Sequence, residues 1–119
     1  MIRPLLLALV LAATPVLADS ATADAEINFL LSYITDSNCT FTRNGTEHTA
    51  AEAADHLRLK YSRGRRWVDS AEDFIDRLAS ASSWTDRPYT ITCEGKTENT
   101  GPWLHRALDA HRDAESAES

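Results

Sequence analysis

Apolar residues recur three and four positions apart in four stretches of the chain, and two short runs between them alternate apolar with polar residues. Ile27, Leu30, Leu31 and Ile34 form one stripe over residues 23–36, the signature of a helix with a single buried side. Phe29 and Tyr33 lie four apart on another side of that helix, where they can touch each other. Thr49 and Glu52 make a capping box that opens a second helix, running to about Ser62 with Gly64 placed to end it. Ala50, Ala53, Ala54, Leu57 and Tyr61 share its core side, while Glu52, Asp55, His56, Leu59 and Arg63 collect opposite, so Leu59 stands among charges. Asp69-Ser70 offers an N-cap to a third helix carrying Ala71, Phe74, Ile75 and Leu78 as far as about Ala81. Pro102 suits the first turn of a fourth, lined by Trp103, Leu104, Ala107, Leu108 and His111.

The alternating runs are Cys39–Arg43 and Tyr89–Cys93, each with its cysteine on the apolar side, which suits two strands that pair with both cysteines on the buried face. Asn44-Gly45 is a strong turn dipeptide, and 94–101 reads as a polar loop. No internal repeat is visible. The expected fold is α+β and mostly helical: about four helices, largely antiparallel neighbours, a two-stranded antiparallel pairing and one disulfide.

The first residues change the picture of where this domain resides. Arg3, the apolar run Leu5–Ala13 and the small-residue site Val16-Leu17-Ala18 follow the order of a secretory signal, with cleavage expected after Ala18. The run is too short to anchor the chain across a bilayer. Residues 1–18 are therefore a predicted signal peptide, 19–112 a single small globular domain, and 113–119 an acidic tail expected to be disordered. The location implied is the periplasm, and the protein is not expected to be an integral membrane protein.

Cys39 and Cys93 are the only cysteines, and an even count in an exported chain argues for one bridge. Closing so long a loop is worth about 4 kcal/mol in the chain-entropy model, useful to a domain near the lower size for a self-sufficient core. Reactive thiols or a metal pair are the alternative, without the close ligand spacing that metal sites carry.

With 12 basic and 18 acidic residues the formal charge is −6, and losing Arg3 with the export segment makes it one unit more negative. Broad nucleic-acid binding is not expected of so acidic a domain. Against that background Arg58, Lys60, Arg63, Arg65 and Arg66 form a dense local run. They either complement the C-terminal dipole of the second helix or form an anion-binding edge with Trp67 and exposed Leu59, since arginine forks suit carboxylate and phosphate. His48, Glu52 and His56, spaced four and four, are weak candidates for zinc or copper ligands, although Glu52 is already engaged by capping and the H-E-x-x-H pattern is missing. No G-x-S-x-G elbow or other catalytic signature is present. Neither a cofactor nor a catalytic residue is assigned.

The segments TEHTAAEAADHLRLKY and SAEDFIDRLAS, within a stretch from Ile27 to Leu108, resemble a family of short exported proteobacterial proteins catalogued only as a domain of unknown function. The resemblance implies a periplasmic setting and a compact helical domain with two cysteines, and it carries no activity. The favoured expectation is a non-enzymatic binding or accessory protein of the bacterial envelope. It would use helix 49–62 and a basic loop 63–67, through Arg58, Leu59, Arg63, Arg65, Arg66 and Trp67, to hold an envelope protein or an anionic ligand. The alternative is a small hydrolase or metal-binding enzyme acting on envelope material.

Overall fold

The computed structural model describes residues 16–118, so most of the predicted export segment lies outside the described residues. Helix α1 spans Val16–Ser37 and buries the expected stripe, Ile27, Leu30, Leu31 and Ile34. Asn38 then adopts φ 55°, a left-handed turn of the kind that ends helices, while Ser37 Oγ donates to the Ile34 carbonyl at 2.7 Å. The chain next forms a hairpin, β1 (Thr40–Arg43) and β2 (Thr46–His48), turned by Asn44 and Gly45 at φ 51° and 81°. Two successive positive φ values make the tight turn whose twist matches paired strands, which is why Asn-Gly predicts it.

Helix α2 (Ala50–Gly64) follows without a linker. Its capping box is formed as the sequence predicts: the Glu52 N–H donates to Thr49 Oγ1 and the Thr49 N–H to Glu52 Oε1. Residues 63–67 are not a loop. Arg63 and Gly64 complete α2, and Arg65–Trp67 is one 3₁₀ turn. Helix α3 (Ala71–Asp73), capped by Ser70 Oγ accepting from the Asp73 N–H, widens into a π-turn over Phe74–Ala79. A second hairpin, β3 (Thr90–Cys93) and β4 (Lys96–Asn99), leads directly into α4 (Thr100–Glu118).

The sheet is antiparallel with order β2-β1-β3-β4. It therefore has four strands rather than the two expected. Thr46-Glu47-His48 and Lys96-Thr97-Glu98-Asn99 contain no apolar residue, so these edge strands leave no hydrophobic alternation to read. The central pair places Phe41 opposite Ile91, and the same register brings Cys39 opposite Cys93, 4.8 Å apart at Cα and disulfide-bonded across 54 residues. Helix α4 also continues to Glu118, past the expected end of the ordered domain at 112. Ala and Glu favour helix there, and His111 Nε2 and Glu115 Oε2 form an i,i+4 pair at 3.4 Å.

The two halves of the sheet are related. Each hairpin opens with Thr-x-Thr, turns on a glycine and feeds a helix, with an offset of about 50 residues (Thr40/Thr90, Thr42/Thr92, Gly45/Gly95). The sequence of buried and exposed positions along 41–50 recurs unchanged along 91–100. The repeat escapes sequence reading because these are the only identities between the two hairpins.

A second fastening joins the helices. Arg112 on α4 donates through Nε and Nη2 to both oxygens of buried Glu26 on α1, each at 2.8 Å, and reaches Glu72 on α3 at 2.6 and 3.1 Å. Hydrogen bonding to Arg112 holds the Glu72 carboxyl below its usual range. Among the described residues no helix is long and apolar enough to cross a membrane.

Candidate functional site

The outer side of α2 presents His56 and Lys60 one helical turn apart, facing the β1–β2 hairpin and the loop 80–89. Arg43, at the end of β1, donates from Nη1 to His56 Nδ1 at 2.8 Å. A guanidinium cannot accept, so Nδ1 is the accepting nitrogen and the imidazole is the neutral tautomer with its proton on Nε2. That Nε2 lies 3.5 Å from the Tyr89 hydroxyl. Lys60 Nζ donates to the same hydroxyl at 3.0 Å and to the Ala81 carbonyl at 3.4 Å.

Electrostatics follow from this crowding. Burial, then the Arg43, Lys60 and His48 charges, lower the His56 pKa to about 4. Burial and Arg43 lower Lys60 to about 8. Burial raises the Tyr89 phenol, with Arg43 opposing. The loop is braced across the cleft by Asn44, whose Nδ2 donates to Ser82 Oγ at 3.2 Å and whose Oδ1 accepts from Thr85 Oγ1 at 2.6 Å. Arg63 and Trp84, the latter 95% exposed, stand at the rim. The resulting cleft, about 540 Å³, has Arg43, Lys60, Arg63 and two histidines in its walls and no carboxylate among its lining residues. A smaller pocket that shares Arg43, His48, His56 and Tyr89 with it continues over Phe41, Ala53 and Leu57, and Glu52 is the one carboxylate in its lining.

Of the six residues expected to form a binding edge, only Arg63 lines this cleft. Arg58 pairs with Asp55 at 3.0 Å, Arg65 lies over the Tyr61 ring and reaches Asp24 at 3.4 Å, and Arg66 stacks on Trp67. Leu59 is 46% exposed on the outer surface of α2. His48, Glu52 and His56 do not assemble as a metal triad. His48 Nδ1 is 3.9 Å from Glu52 Oε1, while His56 Nδ1 is occupied by Arg43. Among the described residues no group of three or more His, Cys, Asp or Glu could hold a metal ion.

Sequence reading missed Arg43 and Tyr89, which reach the cleft from strand ends 13 and 33 residues from His56. The available signal was the 56/60/63 spacing on α2, three basic residues on adjoining turns with no acid between His56 and Lys60.

The repeated half offers an internal comparison. Glu98 and Arg106 occupy the positions of His48 and His56, and they form an ion pair at 2.6 Å. Trp103 occupies the position of Ala53, buried edge-on against Phe41. The second half thus closes with its own counter-charge and an indole, whereas the first leaves both the cations and the space.

A family model described as a family of unknown function (DUF5329) matches residues 21–112. The chain belongs to that family. It is similar to the uncharacterized protein YfeK of Salmonella typhimurium, at 45% identity over 71 residues. That match spans 59% of this chain and 59% of the relative. No solved structure matches.

Proposed function

We propose that this protein is a non-enzymatic binding protein that captures an anionic group in the cleft between α2, the β1–β2 hairpin and the loop 80–89. One observation carries the reading: a protein of net charge −6 gathers Arg43, Lys60 and Arg63 around a cleft with no carboxylate in its lining. Unmatched cations at a partly buried site are costly. Burial and Arg43 hold Lys60 near pKa 8, so an arriving anion gains both Coulomb attraction and charge-assisted hydrogen bonds. The hydrolase alternative has less support. Ser82 Oγ already serves Asn44 and the Trp84 and Thr85 N–H groups, and His56 Nδ1 faces a guanidinium.

The setting we propose is the periplasm, after cleavage behind Ala18. The Cys39–Cys93 bridge suits an oxidising compartment, and the family match begins at residue 21, just past the proposed cleavage site. N-terminal sequencing of the exported protein should read from Asp19, and retention of Met1 would refute this.

Isothermal titration with sodium acetate and sodium phosphate at low ionic strength tests the cleft. Lys60→Met should weaken binding at least tenfold, the equivalent of about 1.4 kcal/mol, whereas Arg66→Gln, outside the cleft, should bind as the native protein does. Equal affinity in Lys60→Met and native protein would reject the site.

A further inference from the structure

Two of the residues that line the pocket beneath the cleft each carry a buried polar atom without a partner among the described residues. Thr100, only 1% exposed at the start of α4, lines it together with His48, and neither Thr100 Oγ1 nor the buried His48 Nε2 has a hydrogen-bond partner among the described residues. Buried polar groups are nearly always paired, because an unpaired one forfeits its hydration. Around them the walls are Phe41, Ala53 and Leu57, with Arg43, His56 and Tyr89 also in the lining. One carboxylate, Glu52, lines the pocket too, its Oε1 accepting from the Thr49 N–H of the capping box. Space exists here because Ala53 stands where the other half of the repeat carries Trp103. The volume, about 90 Å³, compares with the roughly 150 Å³ cavity that accepts benzene, so it suits a body of about three or four carbons.

We infer that the pocket and cleft together bind a short amphiphilic carboxylate. Its carboxylate would sit among Arg43 and Lys60, its aliphatic body over Ala53, and a hydroxyl or carbonyl on that body would satisfy Thr100 Oγ1 or His48 Nε2. This inference rests on the anion-binding reading of the cleft and adds the ligand's chemical class. A free inorganic anion would use only the mouth, leaving the apolar walls and both polar atoms unmet.

Titration of the native protein with acetate, butanoate, hexanoate and 3-hydroxybutanoate separates the two readings. Affinity should rise about fourfold per added methylene from acetate to butanoate, then level off at hexanoate once the pocket is full. 3-Hydroxybutanoate should bind more tightly than butanoate. Ala53→Leu should erase the chain-length gain, and Thr100→Val should erase the preference for the hydroxyl. Equal affinity for acetate and butanoate in the native protein would overturn this inference while leaving the anion cleft standing. Failure of acetate, butanoate and phosphate alike to bind would overturn both. The native chain-length series decides the matter even if a variant fails to fold.

Discussion

At Lys60 and His56 the packing sets charge states that a solvated helix would not give. Both groups have folded pKa values below their ordinary ones, Lys60 at about 8 against 10.5 and His56 at about 4 against 6.5. Between each pair of values the unfolded chain holds the proton that the folded chain has released, so stability rises with pH in both windows. Denaturant unfolding across pH should show this. Lys60→Met should flatten the rise between about pH 8 and 10.5, and His56→Gln should remove part of the loss on acidification from 6.5 to 4. Identical pH profiles for native and Lys60→Met protein would mean that the amine is solvated like any surface lysine. The same titration governs binding: anion affinity should fall as pH rises through about 8, where Lys60 loses its charge.

Two cross-links fasten the elements, and they differ in how far sequence foretells them. The disulfide was legible, since Cys39 with Phe41 and Cys93 with Ile91 share parity in two alternating runs and the register seats them opposite each other. Replacing both cysteines with alanine should cost about 4 kcal/mol, read as a lower denaturation midpoint; an unchanged midpoint would contradict a stabilising bridge. The Arg112 clamp was not legible, because its partners Glu26 and Glu72 lie 86 and 40 residues away in sequence and only the packing of three helices brings them together. Arg112→Met strands the buried Glu26 carboxylate. Breaking a fully buried pair costs roughly 3–5 kcal/mol, and because the Arg112 side chain is 38% exposed about 2 kcal/mol is expected in the same unfolding assay. Helices α1, α2 and α4 and the inner strands announced themselves through apolar spacing and caps. The edge strands β2 and β4 did not, because tight turns and backbone pairing make them while their side chains stay polar and exposed.

For the whole molecule, the hairpin–helix unit occurs twice among the described residues, and the two copies differ in how they are filled. The central Phe41–Ile91 pair and the bridge beside it hold the two units together, and the outer features then diverge. Glu98–Arg106 and Trp103 fill one half, while His48, His56 and Ala53 leave the other open toward Arg43, Lys60 and Tyr89. The site could be read only in part from sequence, as a basic stretch of α2, since its other walls come from strand ends and from the 80–89 loop. The central claim is that an anion occupies this opening, and the Lys60 amine reports on it directly. NMR titration of that amine, with and without saturating butanoate at matched ionic strength, is the decisive measurement. Occupancy should raise its pKa from about 8 toward the ordinary lysine value, because a bound carboxylate favours the charged form. The same pKa with and without butanoate would contradict the account.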